Sequence, residues 1–357
     1  MKLQSALELQ GEVFRKIFNF EEMPMAAVGE APVASTFVDP ILMDEEQARR
    51  RSLASARRRI AEDIALGIAA GPGDEEAQLA VLVQNHLLMN SSVIDEIRTL
   101  SRREAEVIYI GRQVPLWTRT RNQPLRIGCS TSPATVNYSG TLGCFCRDAQ
   151  GDRVGILSNN HVLADVNQLP IGTPVIQQAA GDAGHRVKDV VGKLTRFVPI
   201  QFGGLPNAVD AAFAELGDHG RGIDTSGIYD SRTPPVQVLT LQPTGVVQAF
   251  PGMPVFKTGR TTRHTAGKVR AVNVNNYVVN MGVGLARFDG QITFEMNNSP
   301  ARAFSAPGDS GSLIVDGQGV PVALLFAGSQ SGGAGNLGIT GGNPISSVKA
   351  QLGVILI

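Results

Sequence analysis

The chain has 357 residues, of which 43% are hydrophobic and 18% charged, and its 32 basic residues balance its 32 acidic ones. This length exceeds what one core usually organises, so we predict two or three packed units. The composition is that of a folded globular protein and excludes wholesale disorder. The balanced charge indicates no nucleic-acid partner and no anionic membrane surface, because both require a basic footprint.

The first hundred or so residues alternate between helical and strand patterns. The opening segment MKLQSALELQGEVFRKIF is interrupted by charges, which predicts an amphipathic helix and not a secretory signal. Residues 44–60 favour helix, and their cluster of arginines is interpreted as a solvated face because acidic residues flank it. Two apolar runs then enclose the turn GPGDEE, and SSVIDEIRTLSR has helical spacing with Ser91 or Ser92 as N-cap. With the strand-like AEVIYIG, this predicts an α/β module at residues 1–110.

Beyond residue 110, short strands separated by Gly, Pro, Asn and Asp turns replace the helical patterns. Such a series is typical of an antiparallel sandwich or barrel, and about 250 residues of it suit two units. The stretch DTSGIYDSRTPPVQ at 224–237 is predicted to be a linker, which places the first β-unit at residues 111–230 and the second at 231–357. The segment NPISSVKAQLGVIL predicts a final helix with Pro344 near its first turn.

Cys129, Cys144 and Cys146 are too few for a disulfide framework. We predict three reduced, buried thiols and no zinc site, since no further Cys or His cluster accompanies them. No run is apolar for long enough to span a bilayer. A cytoplasmic protein without metal or organic cofactor is therefore expected, with a non-standard export route left open.

The sharpest local signal is the sequence GDSGS at 308–312. A serine becomes a nucleophile when a base and donors for the developing oxyanion are nearby. Flanking glycines allow the backbone to turn and aim two N–H groups, here those of Gly308 and Ser310, at one point. The alternative is an ordinary turn between two strands, and taken alone the two interpretations are about equal.

Two further residues supply the partners that such a serine needs. His161 follows the strand RVGILSNN, and imidazole is the usual general base near neutral pH. Asp210 lies within the apolar run AVDAAFA, where a buried carboxylate requires a partner. Alternatively, His161 is merely structural and Asp210 faces solvent at a strand edge. The chain order His, Asp, Ser is that of the chymotrypsin arrangement, and the three residues together favour a catalytic triad.

The motifs SNNHV, VDAAF and GDSGS resemble those of the chymotrypsin-like serine proteases, with Ser312 where a second glycine is commoner. The likeness covers about residues 125–357. VFKTGRTT at 255–262 resembles the bacterial secreted branch, whose flanking half-cystines are replaced by Phe256 and Ala266, in keeping with a reducing compartment. Over its full length the chain looks most like bacterial relatives of the plant Narrow Leaf proteases. The resemblance implies a mainly β fold of two antiparallel six-stranded β-barrels, one with His161 and Asp210 and the other with Ser310.

The resemblance also implies supporting residues around the nucleophile. Family members pair the aspartate before the nucleophile, here Asp309, with a freed N-terminal amine. A long N-terminal module makes such an amine unavailable, and an unpaired buried carboxylate is unfavourable. The bacterial relatives have an arginine at the position of Lys257, so Lys257 is predicted to supply the cation. The alternative is a surface lysine on a turn.

Phe304 aligns with the base of the primary specificity pocket, which argues against a preference for Lys or Arg. The pocket is apolar, small or blocked in this interpretation. The segment Phe326-Ala327-Gly328 corresponds to the family's substrate strand, whose backbone pairs an extended peptide. These four residues are the predicted substrate-binding set.

The function predicted is that of a serine endopeptidase acting on proteins or peptides, and a homo-oligomer is left open. Two alternatives remain. One is an esterase-like or self-processing enzyme with the same triad. The other is a catalytically idle scaffold that uses the fold for binding only.

Overall fold

The computed structural model describes residues 1–18, 60–73, 76–111, 116–151, 153–297 and 303–357. The chain divides into two compact units, Met1–Val114 and Pro115–Ile357. The arginine-rich segment predicted to be helical lies, apart from its last residue, outside the described part of the chain. Within that part, no helix combines the length and the apolar character needed to cross a lipid bilayer.

In its described residues, the first unit packs helices α1 (Leu3–Lys16) and α2 (Ser92–Leu100) on a three-stranded sheet. The strands of this sheet are β1 (Ile64–Ala70), β2 (Ala77–Val83) and β3 (Ala105–Tyr109). Strand β2 pairs antiparallel with β1 and parallel with β3, and α2 forms the crossover. The hydroxyl of Ser91 accepts a hydrogen bond from the amide of Ile94 and caps α2. The order of strands and helix is the one predicted from the sequence.

The regular secondary structure described for the second unit is mainly β-strand. Its first strands are β4 (Leu125–Arg126), β5 (Ser130–Pro133), β6 (Gly140–Thr141), β7 (Cys144–Asp148), β8 (Val154–Ser158), β9 (Pro174–Ile176), β10 (Val190–Phe197), β11 (Pro206–Asn207), β12 (Ala212–Leu216), β13 (Ile223–Asp224), β14 (Gly227–Tyr229) and β15 (Gln237–Thr240). The later strands are β16 (Pro254–Gly259), β17 (Arg263–Val274), β18 (Tyr277–Asn280), β19 (Leu285–Phe288), β20 (Gln291–Met296), β21 (Leu313–Asp316), β22 (Pro321–Gly328), β23 (Thr340–Pro344) and β24 (Val354–Leu356). The α-helices among its described residues are α3 (Asn160–Leu163) and α4 (Ile345–Leu352).

Six of the later strands close into a barrel in the order β16, β17, β20, β23, β22, β21. Every neighbouring pair in it is antiparallel. Phe256 of β16 lies opposite Ala266 of β17, so the two residues expected to replace a disulfide are cross-strand neighbours. The predicted six-stranded second barrel is thereby confirmed.

The other large sheet has eight strands in the order β24, β7, β8, β12, β10, β9, β5, β6, and not six. Its edge strand β24 follows the C-terminal helix. Gly353, with φ of 62°, ends that helix at Leu352. The chain then continues as a strand that pairs with β7. The last residues of the predicted second β-unit therefore belong to the eight-stranded sheet, most of which lies in the predicted first β-unit. The mainly β fold class is confirmed.

The core of this sheet contains all three cysteines. Each of them is unpaired and fully buried. Burial raises the pKa of Cys129 to about 12 and raises the pKa values of Cys144 and Cys146 as well. The prediction of buried thiols is confirmed.

The stretch at 224–237, predicted as a linker, is instead part of the packed unit. Strand β13 pairs with β4, and β14 forms a hairpin with β15. Ile228 and Tyr229 are buried, and the indole of Trp117 donates a hydrogen bond to the carbonyl of Asp230. Apolar side chains within a turn-rich sequence explain why the prediction was wrong here.

Candidate active site

Strand pairing brings His161 and Asp210 together. Ser158 at the end of β8 lies opposite Ala212 at the start of β12. His161, which follows Ser158, and Asp210, which precedes Ala212, therefore meet beside these paired strand ends. Nδ1 of His161 lies 2.5 Å from Oδ2 of Asp210. The His161 amide also donates to Oδ1 of Asp210 at 3.1 Å. The Asp210 side chain is fully buried, whereas 23% of the His161 side chain is exposed. A buried carboxylate thus fixes one edge of an imidazole that solvent can reach.

Asparagines before His161 support this arrangement and were not singled out from the sequence. Nδ2 of Asn159 donates to the carbonyl of Asp210 at 2.7 Å. The side chain of Asn160 bonds Asn167 and the carbonyl of Val198. Three polar residues in succession at the end of a buried strand, from Ser158 to Asn160, were the available signal.

The Ser310 loop of the closed barrel is attached to the eight-stranded sheet near His161. The Thr141 amide donates to the Ser310 carbonyl at 2.8 Å, and the Thr141 hydroxyl donates to the Gly308 carbonyl at 2.9 Å. The Ser158 hydroxyl in turn donates to the Thr141 carbonyl at 2.8 Å. Ser158 and Thr141 therefore bridge the strand that leads to His161 and the loop that carries Ser310.

Glycine is required on both sides of the predicted nucleophile. Gly308 and Gly311 have φ of 97° and 92°, a region that other residues rarely adopt. A Cβ on Gly311 would lie 2.1 Å from the Ser158 hydroxyl. Within the described part of the chain, the amides of Gly308 and Ser310 and the Ser310 hydroxyl donate no hydrogen bond. The site therefore holds two unpaired backbone donors beside an unpaired hydroxyl.

Asp309 lies in the same loop, and its buried carboxylate accepts hydrogen bonds from several donors. The amides of Thr261, Thr262 and Ala306 and the hydroxyl of Thr262 donate to its carboxylate. Lys257 approaches the same carboxylate at 3.4 Å, and both side chains are fully buried. Lys257 is therefore a core residue and not a surface lysine on a turn.

A cavity of about 150 Å³ lies beside Ser310. It is lined by Ser305, Ala306, Pro307, Ser310, Leu325, Ala327, Gly328, Ser329 and Gln330, none of which is charged. The hydroxyl of Ser305, which lines the cavity, lies 2.6 Å from that of Thr340. Two of the predicted substrate-binding residues, Ala327 and Gly328, line it.

The side chains of the other two predicted substrate-binding residues lie elsewhere. Phe304 is 2% exposed, stacks on Phe294 and places its ring 5.7 Å from Nζ of Lys257. Phe326 packs against Phe288 and Tyr277. The Phe304 ring fills the barrel core and does not line this cavity, and its place at the base of the specificity pocket stays a prediction. Phe326 can meet a substrate only through its backbone.

No protein-family model matches the chain, and no curated protein matches it. Among solved structures, it is similar to protease A of Thermobifida fusca at 19% identity and a TM-score of 0.44, and to a Nocardiopsis protease at 18% and 0.44. It is also similar to a chymotrypsin of Cellulomonas bogoriensis at 19% and 0.42. Each comparison covers 65% of this chain and 99% of the other. The relation to the Narrow Leaf proteases stays a prediction.

Proposed function

We propose that the protein is a serine endopeptidase with His161, Asp210 and Ser310 as its catalytic triad. The observation that carries this proposal is the hydrogen bond between Nδ1 of His161 and the buried Asp210 carboxylate. That bond fixes the tautomer in which Nε2 is free to accept a proton. The proton that Nε2 accepts would come from the hydroxyl of Ser310, whose loop is hydrogen-bonded to the same sheet through Thr141.

In the proposed reaction, Ser310 attacks a peptide carbonyl while His161 takes the hydroxyl proton. His161 then gives this proton to the leaving amine, which yields an acyl-enzyme that water hydrolyses by the same steps. Asp210 holds the ring of His161 and stabilises its charged form. The amides of Gly308 and Ser310 bind the oxyanion, and loss of one such donor typically lowers kcat by about 10²–10³-fold.

The substrate is proposed to be an extended segment of a protein or peptide. It pairs with the backbone of Phe326-Ala327-Gly328 by strand addition, which places little demand on sequence. The cavity beside Ser310 receives the side chain that precedes the cleaved bond. Its small volume and its uncharged lining, which includes the hydroxyl of Ser305, favour a small, uncharged side chain over Lys, Arg or Glu.

Lys257 is proposed to keep the loop of Ser310 in its active form without prior cleavage of the chain. Asp309 already has its cation and its hydrogen bonds inside the barrel. No freed N-terminal amine is then needed. We further propose that the enzyme acts in the cytoplasm without metal or organic cofactor.

The test is cleavage of an unfolded protein and of a mixed peptide library by the purified enzyme and by its Ser310→Ala variant. The proposal expects cleavage in trans, after small residues, by the wild type alone. Turnover of small esters without cleavage of any peptide would assign the same triad to an esterase-like enzyme. Absence of both activities would leave a binding scaffold.

A further inference from the structure

The chain segment that leads into Asp210 is bound to the closed barrel by two buried amide side chains. The amide of Asp210 donates to Oδ1 of Asn343 at 3.0 Å. Nδ2 of Asn343 donates to Oε1 of Gln291 at 2.6 Å. Nε2 of Gln291 donates to the carbonyl of Ala208 at 2.9 Å. Asp210 and Ala208 are therefore both held by the side chains of Asn343 and Gln291, which belong to the closed barrel.

This pair is fully buried, and each side-chain nitrogen and oxygen atom of the pair makes at least one hydrogen bond. Asn343 on β23 and Gln291 on β20 are both 0% exposed, and their two strands are neighbours in the barrel. The remaining Gln291 proton goes to the carbonyl of Asp289 at 2.6 Å. Burying amides is unfavourable unless every group is paired, and apolar side chains would fill such a space at no such penalty. The polar pair thus provides orientation that an apolar pair would not.

The backbone of Asp210 is consequently held through both its N–H and its C=O group. Asn343 accepts from its amide, and Nδ2 of Asn159 donates to its carbonyl. With the backbone fixed, the carboxylate can reach His161 in only a narrow range of directions. A buried network of hydrogen-bonded polar atoms rigidifies the groups it holds.

We propose that Asn343 and Gln291 are positioning residues that orient Asp210 toward His161 and so couple the closed barrel to the triad. For its catalytic consequence, the inference rests on the proposed function. A displacement of about 1 Å in a reacting constellation can lower the rate by about 10²-fold. Loss of either amide is expected to lower kcat by roughly 10- to 100-fold with KM unchanged, since neither residue contacts substrate.

The test compares Asn343→Leu and Gln291→Met with a control, Asn122→Leu. Asn122 is a buried asparagine whose Nδ2 bonds two backbone carbonyls, those of Trp117 and Thr120, and it makes no hydrogen bond to the proposed triad. Each variant is first checked for cooperative thermal unfolding. The second readout is the downfield proton NMR resonance of His161 Nδ1–H, which reports its hydrogen bond to Asp210 and does not depend on turnover.

The inference expects this resonance to shift or broaden in both test variants and to remain in the control, whatever the loss of stability. An unchanged resonance in a folded Asn343→Leu or Gln291→Met protein would overturn it. Failure of both test variants to fold, with a folded control, would also overturn it, because the pair would then be structural. A shifted resonance in the two test variants, together with a wild type that cleaves no peptide, would uphold the positioning and refute the proposed function.

Discussion

Nζ of Lys257 lies 3.4 Å from Oδ2 of Asp309, and both side chains are shielded from solvent inside the closed barrel. Burial lowers the pKa of Lys257, and the charge of Asp309 opposes that shift. Lys257 also donates to the hydroxyl of Thr262 and the carbonyl of Arg263. The pair is thus a hydrogen-bonded network, which is the condition under which a buried ion pair is tolerated.

Replacing Lys257 by Met is expected to lower the free energy of unfolding by roughly 3–5 kcal/mol, because it leaves the Asp309 charge buried and uncompensated. Peptide cleavage should fall with it, since Asp309 lies directly before Ser310. Urea unfolding and turnover are measured together. Lys268→Met is the control, since the Lys268 side chain is half-exposed and its partner Glu295 keeps Arg270 as a second cation, so the loss should be only about 0–1 kcal/mol. Unchanged turnover in Lys257→Met would remove the proposed role.

Gly311→Ala is expected to displace the Ser310 loop from the eight-stranded sheet. Its φ is 92°, and the added Cβ would lie 2.1 Å from the Ser158 hydroxyl and 2.4 Å from the Thr141 carbonyl. We expect a loss of more than about 1 kcal/mol in stability and loss of cleavage activity. Gly317→Ala is the matched control, since its Cβ would meet only Phe256, at 3.7 Å. Equal activity in the two variants would refute the close packing of the loop.

The three buried thiols make stability fall at high pH. Their folded-state pKa values are raised by burial, for Cys129 to about 12. Because the unfolded chain then loses thiol protons first, this stabilisation is complete below about pH 9 and is lost as pH rises toward the folded values. Each thiol should contribute a slope of about 1.4 kcal/mol per pH unit in that window.

The measurement is the free energy of unfolding from pH 8 to pH 11, for the wild type and for a Cys129→Ala variant. Subtracting the two curves removes the titration of other groups. The wild type should lose stability more steeply above pH 9. Parallel curves would contradict the burial of Cys129.

Ser305→Asp is expected to change the cleavage preference toward Lys and Arg. The Ser305 hydroxyl faces that of Thr340 at 2.6 Å beside the cavity, so a carboxylate there would offer a charge partner to a basic side chain. A peptide library read by mass spectrometry measures the preference. Ser329→Asp, at the exposed rim of the same cavity, should have a smaller effect because solvent screens its charge. An unaltered preference in Ser305→Asp would show that this cavity does not receive the side chain.

Local patterns in the sequence predicted the elements that local forces determine. The helix beginning after Ser91, the strands around GPGDEE and the short strands beyond residue 110 follow from capping, periodicity and turn residues. The pairing of β24 with β7 in the eight-stranded sheet could not be predicted. The three residues of β24 carry no signal that identifies a partner strand more than two hundred positions earlier.

The candidate site likewise contains some residues that local motifs predict and others that they do not. His161, Asp210 and Ser310 are marked by motifs, whereas Asn343 contacts Asp210 across 133 positions of sequence and lies in an unremarkable GGNP. Phe304 was assigned by position alone, and its ring direction depends on the barrel core that it fills. Motifs identify chemistry, but the direction of a side chain is set by packing between distant strands.

The most direct measurement is covalent labelling by a fluorophosphonate probe, with the modified residue located by mass spectrometry. We expect one adduct per chain, on Ser310, absent in Ser310→Ala and strongly reduced in His161→Ala, but retained in Ser329→Ala. Labelling that persists in Ser310→Ala, or that is indifferent to the loss of His161, would contradict the triad.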